Sequence, residues 1–199
     1  MPPPVVGIFV GGQARRMGGA AKGNLLYEGR TILERTLEAC RGAIPELPRV
    51  YLVGNSAAYS LSGVQRLDDE PQGRGPIGGL RALLEEARGF GACALALAGD
   101  MPFLTGALVT RLILEQRSAA ALAPRDGSRW QPLFARYDSS EVLPAVDAVL
   151  ARGDTALQSV LRELGARAAE LELSASERET LIDWDRPNDV NRRCPISSQ

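Results

Sequence analysis

Residues 91–100 read GACALALAGD, a run that is apolar on both faces and ends in glycine and aspartate. A strand wet on one side alternates polar and apolar residues, so Ala92–Ala98 within this run predicts a central strand covered by helices on either side. Four more runs fit strands of the same sheet: Val5–Val10, Arg49–Val53, Val64–Leu67 and Ala119–Ala123. Helical faces recur between them. Ile32, Leu33, Thr36, Leu37 and Cys40 form one; Ile77, Leu80, Leu83, Leu84 and Ala87 a second; Leu108, Val109, Leu112 and Ile113 a third. Strand and helix in alternation imply right-handed crossovers, and so an α/β, three-layer α/β/α chain around a mostly parallel sheet. Asp100 then sits at the carboxyl mouth of the central strand, the edge where open parallel sheets gather their ligands.

The pattern changes after Pro124. RDGSRWQPLFARY reads as a turn and then an antiparallel strand, which Pro132 places at an edge or a bulge. Two helices follow: Ser139 or Ser140 is expected to cap the first, over Val142, Val146, Val149 and Leu150, and Asp154 the second, over Leu157, Val160, Leu161 and Leu164. Ala168–Leu173 reads as one more strand.

At 199 residues the chain fits one domain, 1–199. Its formal charge of −1 offers no overall field for nucleic acid or an anionic membrane, so any anion site must be local. With no histidine, and with Cys40, Cys93 and Cys194 scattered, histidine triads and the usual zinc sites are excluded. The N-terminus has no secretory pattern and no run approaches a membrane span, so the expected compartment is the cytoplasm.

After the first strand comes GGQARRMGGAAKGN, with Arg15, Arg16 and Lys22 and no acid before Glu28. It matches neither GxxxxGK[ST] nor GxGxxG. Its chemistry still suits a nucleoside triphosphate, because glycines let backbone N–H groups come close and the cations neutralise charge. A plain strand-to-helix turn with solvated basic residues is the alternative. Gly75–Gly79 opens a helix whose free N–H groups face the same edge, and Pro76 suits its first turn. Asp100 needs a cationic partner: a hydrated magnesium on the triphosphate is one, a helix cap or an arginine another.

Val10–Leu33, VGGQARRMGGAAKGNLLYEGRTIL, resembles the signature loop of the MobA-like nucleotidyltransferases, the molybdenum cofactor guanylyltransferases and their relatives. Gly11, Gly12, Arg16, Met17, Gly18 and Lys22 fall on its pattern. The similarity continues through DEPQGRGPIGGL at 69–80, GDMPF at 99–103, QPLFARY at 131–137 and WDRPNDV at 184–190. It implies a Rossmann-like nucleotidyltransferase fold, with a nucleotide-binding half over about 1–104 and an acceptor-binding half over about 105–193.

The implied reaction is transfer of GMP from GTP to the terminal phosphate of molybdopterin or Mo-molybdopterin, with release of pyrophosphate. The resemblance implies that Val10, Gly11, Gly12, Arg16, Lys22 and Gly75 surround the nucleotide phosphates, Asn55 and Asp69 the guanine base, and Asp100 a magnesium ion, for which manganese can substitute. Arg129, Trp130, Gln131 and Pro132 would line the acceptor half. It also implies transient handover contacts with cofactor-assembly proteins or molybdoenzyme chaperones.

The tail departs from the guanylyl pattern. Asp185 stands where asparagine is common, so it is either a second metal ligand or the N-cap of a last short helix. Val10 in FVGG differs from LAGG, although the second glycine sides with the guanylyl relatives over the LAAG of the cytidylyl ones. A molybdopterin cytidylyltransferase, a sugar or alcohol phosphate nucleotidyltransferase, and a non-catalytic binder of nucleotide or molybdopterin are the rival readings.

Overall fold

The first apolar run forms β1 (Val5–Phe9), and its parallel neighbours on either side are β4 (Val50–Val53) and β6 (Cys93–Ala98). These strands belong to a computed structural model that describes residues 2–10, 22–44, 49–54 and 59–182, with Lys22 by its backbone alone. Among the described residues the sheet is completed by β5 (Gln65–Leu67), β7 (Ala121–Ala123), β10 (Phe134–Asp138) and β11 (Ala168–Glu170), in the order β11-β7-β10-β6-β1-β4-β5. Only β10 runs against the rest. The α/β reading with a mostly parallel sheet and one antiparallel strand holds.

Helices cover both faces, which is why β6 is apolar throughout. On one side α1 (Ile32–Ala43) and α3 (Gly106–Leu114) bury Leu33, Cys40, Leu108 and Leu112. On the other, α2 (Pro76–Gly89), α4 (Ser139–Ala151) and α5 (Leu157–Leu164) bury Leu83, Leu84, Val146, Val149 and Val160. Burial pushes the Cys40 thiol up to about 12, so it serves as packing rather than as a nucleophile. A small hairpin, β2 (Leu26–Tyr27) with β3 (Arg30–Thr31), leads into α1. There Thr31 and Glu34 close a capping box.

Three local expectations change. Pro132 marks neither an edge nor a bulge: β10 lies between β6 and β7, and Pro132 sits in the turn before it, where its missing N–H interrupts no ladder. The cap of α4 is Asp138 rather than Ser139 or Ser140, its carboxylate accepting from the Ser140 and Glu141 N–H groups at 3.0 Å; Ser139 is buried and donates to Ala92 O. Before α5, Asp154 accepts from Ala156 N at 2.9 Å, and Ala156 itself is the N-cap residue.

From β1 the chain steps to β4 and β5 on one side and returns through α2 to β6 on the other, so the direction of winding reverses between β1 and β6. That reversal opens a crevice at the carboxyl edge. The strand ends meet there tightly: Val10 N donates to Val53 O, Gly99 N to Phe9 O and Gly54 N to Leu67 O. Gly54 has φ +116°, and a Cβ at that position would lie 2.6 Å from Val10 O. Gly54→Ala is therefore expected to destabilise the protein by about 2 kcal/mol or more, combining backbone strain with the clash. Urea unfolding measures the loss.

Candidate nucleotide site

At the crevice the turn Gly99–Asp100 follows β6, and Asp100 is half-buried. The chain reaches the same point from the other end of the opening loop. Lys22–Asn24 forms a 3-10 turn in which a Cβ on Gly23 would lie 2.8 Å from Leu33 Cγ and 3.0 Å from Gly99 O. Only glycine lets that turn press between α1 and the end of β6, and so the Lys22 backbone is set beside Gly99–Asp100. The segment after Asp100 is anchored below: Met101 and Phe103 are buried, the Tyr27 and Phe103 rings meet edge to face at 5.3 Å, and Arg35 donates to Pro102 O at 3.0 Å while lying over the Tyr27 ring. Met101 and Phe103 pack, as their apolar character suggests.

Asp69 stands just past β5, on the other flank of β1 from Asp100. It is half-buried, and its carboxylate has no hydrogen-bond partner among the described residues. Beneath it lies the first turn of α2, where a Cβ on Gly78 would come within 2.6 Å of Pro71 O and one on Gly79 within 3.0 Å of Asp69 Oδ1. Gly75 is the N-cap residue at φ +68°, Pro76 follows, and no side chain caps the helix or places an acid in its first turn. Of its opening residues Pro76 carries no N–H and Gly78 N donates to Gly75 O at 3.0 Å, so what the start of α2 presents to the crevice is chiefly its positive dipole.

Val10, Asp69, Gly75 and Asp100 are brought to one edge of the sheet, with the backbone of Lys22 among them. Gly11, Gly12, Arg16, Asn55 and Asp185 lie outside the described residues, as does the Lys22 side chain.

A profile of the MobA-like NTP transferase domain matches residues 6–169. The chain belongs to that family. It is 32% identical over 182 residues to a molybdenum cofactor guanylyltransferase of Pseudomonas putida, covering 89% of this chain and 91% of the relative. It is 30% identical to a probable molybdenum cofactor guanylyltransferase of Opitutus terrae, covering 93% and 92%. The fold is shared with the crystal structure of molybdopterin-guanine dinucleotide biosynthesis protein A from Archaeoglobus fulgidus, at TM-score 0.71 and 22% identity over 93% and 94% of the two chains. It is also shared with 2-C-methyl-D-erythritol 4-phosphate cytidylyltransferase from Thermus thermophilus, at TM-score 0.66 and 19% identity over 94% and 96%.

In this MobA-like transferase a cavity of about 380 Å³ lies away from Asp69 and Asp100, above the ends of β7 and β11. One wall is Arg125 and Asp126, the β8 arm (Arg125–Asp126) of a hairpin whose other arm is β9 (Arg129–Trp130), and another is α6 (Ala175–Thr180) with the segment after it. The resemblance names Trp130 and Gln131 but not Arg125, whose guanidinium lies 3.8 Å from the centroid of the Trp130 ring. The signal was present in RDGSRW: a two-residue Gly127–Ser128 turn, with Gly127 at φ +56°, pairs Arg125 with Trp130 across the hairpin.

Burial, and then the neighbouring Asp68 carboxylate, push the Asp69 carboxyl above its ordinary value of 3.8. The folded chain then holds this proton more tightly than the unfolded one, so Asp69 subtracts stability as pH rises from below 3.8 through its raised value. Asp69→Asn removes that loss. The variant is expected to resist urea better than the wild type at neutral pH, with the difference vanishing below pH 3.8.

Proposed function

We propose that this chain is a molybdenum cofactor guanylyltransferase, moving GMP from GTP to the terminal phosphate of molybdopterin or Mo-molybdopterin and releasing pyrophosphate. The observation that carries this is that the Lys22–Asn24 turn against Gly99–Asp100 on one flank of β1, and the start of α2 against Asp69 on the other, lie along the same carboxyl edge of the sheet, in a chain whose relatives bear that name over most of their length. Residues of about 1–104 then serve the nucleotide and those of about 105–193 the acceptor. Among the described residues no helix is long and apolar enough to cross a membrane, and we place the reaction in the cytoplasm.

One bond forms, between an acceptor phosphate oxygen and the α-phosphorus of GTP, and one breaks, between that phosphorus and the oxygen bridging to the β-phosphate. A phosphate monoester is already a nucleophile near neutral pH, so no side chain needs to remove a proton. That agrees with a chain lacking histidine. The work left to the protein is alignment and charge neutralisation.

Arg16 and Lys22, with the backbone of Gly11 and Gly12, hold the β- and γ-phosphates and take up charge as pyrophosphate leaves. The start of α2 at Gly75 adds its positive dipole. Asp69 accepts from the two adjacent N–H donors of guanine, an edge that cytosine and adenine lack, and Asn55 completes the base contacts. Asp100 has the chemistry to hold magnesium, which takes one or two carboxylates together with substrate phosphates, and Asp185 is the candidate for the second. Such an ion would neutralise and orient the phosphate oxygens.

Pyrophosphate release with magnesium and molybdopterin, compared across GTP, CTP, ATP and UTP, tests the assignment. Selective turnover of GTP is expected, with Asp100→Ala lowering it by about a hundredfold or more. Selective turnover of CTP would overturn the base assignment at Asp69 while keeping the mechanism. Silence with all four nucleotides would overturn the transferase reading.

A further inference from the structure

Arg35 follows the Thr31 cap of α1 by one turn. Its Nε donates to Pro102 O at 3.0 Å, its guanidinium carbon lies 4.8 Å from the centroid of the Tyr27 ring, and its Nη1 stands 3.4 Å from a Glu28 carboxylate oxygen. Tyr27 and Glu28 belong to the β2–β3 hairpin, and Pro102 to the segment after Asp100. One side chain thus joins the exit of the opening loop to the turn that carries Asp100.

Both pieces are already drawn toward the start of α1. The Lys22–Asn24 turn runs directly into Leu25, whose carbonyl accepts from Ile32 N at 3.1 Å, and Glu28 and Gly29, at φ +51° and +79°, fold the hairpin back on itself. Alternation along β2 turns Tyr27 inward and leaves Leu26 62% exposed. Leu25 and Tyr27 then pack with the buried Ile32 and Phe103 in a small cluster apart from the two main ones. Leu33, the next residue of α1, fills the space between Gly23 and Gly99: a Cβ on the first would lie 2.8 Å from Leu33 Cγ, and one on the second 3.0 Å from Leu33 Cδ2. The first turns of α1 therefore form a bracket between the two segments.

The three contacts of Arg35 differ in weight. Glu28 is largely exposed, so its ion pair contributes little. Pro102 is buried, and its carbonyl left without a donor would cost far more. An amide side chain could satisfy that carbonyl, and an aliphatic one could cover the Tyr27 ring. Doing both at once takes a planar cation with donors along its edge.

We propose that Arg35 is a positioning residue for the transfer: by holding Pro102 O and the Tyr27 ring together, it sets the distance between the Asp100 turn and the Lys22–Asn24 turn. It acts through Asp100, which stands just before the Met101–Pro102 pair whose carbonyl it holds. Pro102 confines Met101 to extended backbone, so little of a shift at that carbonyl is absorbed before Asp100. Magnesium tolerates little departure from octahedral geometry, and a displacement of about 1 Å in an active site can cost about a hundredfold in rate. The part played in transfer rests on the transferase reading; the clasp itself does not.

Arg35→Met and Arg35→Gln separate this role from mere filling of space. Methionine keeps the length without a donor, whereas glutamine puts its Nε2 where arginine has Nε and carries no charge. Hydrogen exchange of the Gly99, Asp100, Met101, Phe103 and Leu104 amides is read in the full-length chain, beside pyrophosphate release from GTP with magnesium and molybdopterin. In Arg35→Met those amides are expected to exchange about tenfold faster, with the β4 amides unchanged, and kcat to fall about tenfold or more. Arg35→Gln is expected to recover most of both. In an Asp100→Ala background Arg35→Met is expected to cost less than about twofold in kcat, because a residue that acts through another adds nothing once the other is gone. Wild-type exchange or wild-type kcat in Arg35→Met overturns the proposal, and so does an equal loss in the methionine and glutamine variants or a full further loss in the Asp100→Ala background. If Arg35→Met does not fold, Arg35→Lys carries the comparison, its ammonium lying one bond beyond the position of Nε, and wild-type exchange and kcat there overturn the proposal. A wild type without turnover would sink the transferase reading, and exchange would then decide the clasp alone: faster in methionine and restored in glutamine leaves Arg35 holding the turn, and unchanged exchange overturns it.

Discussion

The closeness with which the strand ends meet β1 governs this molecule. β1 is paired in parallel on both sides, and where it ends its neighbours do not spread apart. Gly99 N takes the Phe9 carbonyl, Val53 O takes the Val10 N–H, and Gly54 sits so near Val10 O that a side chain has no room. Three connections, after β1, β4 and β6, leave the sheet within a few ångströms of one another. A fourth backbone stretch, the Lys22–Asn24 turn, is packed onto the same spot through Gly23. Close approach of main chain, rather than any single side chain, creates a place where backbone N–H groups and a few charges can surround a phosphate chain.

The antiparallel strand has a complementary role. β10 enters the sheet from the carboxyl edge, and the turn ahead of it is tied down by the hydrogen bond from Ala98 N to Leu133 O at 2.7 Å. Tyr137, buried in that strand, donates to Pro132 O at 2.8 Å and secures the same turn. Arg136 caps the end of α3 through the carbonyls of Ile113, Glu115 and Gln116. β10 thereby closes the floor between the Asp100 turn and the cavity at the hairpin, and holds them two strand spacings apart. A strand of the opposite direction has its amino end at this edge, and the segment that enters it places Gln131 against the cavity.

Much of this was legible in the sequence because burial leaves a periodic mark. The two-faced apolar run of β6 and the helical faces of α1, α2 and α3 follow from covering a parallel sheet on both sides, and all appear where their periodicity puts them. The expectations that fail are those in which a single residue decides a boundary. Pro132 looks like an edge-strand residue only if the strand is assumed to include it, and Asp138 outcompetes Ser139 for the cap because Ser139 is turned inward to Ala92 O. Asp69 and Asp100 could be singled out from the ligand edge and the motifs around them. Gln158 and Arg178 could not, since their roles depend on backbone groups of a hairpin 28 and 53 residues away.

Asp69 and Arg125 occupy opposite flanks of the Gly99–Asp100 turn, and each is held in a state that folding alone does not favour. Asp69 is a carboxylate that burial disfavours, left without a hydrogen-bonding partner among the described residues, and Arg125 carries a buried N–H with no acceptor. Selection for stability would replace either with an apolar or neutral group of similar size, because uncompensated polar groups cost more than they return. Local frustration of this kind persists where binding supplies the missing partner. It occurs at two points along the carboxyl edge, one above β5 and one above β7, with Asp100 above β6 between them.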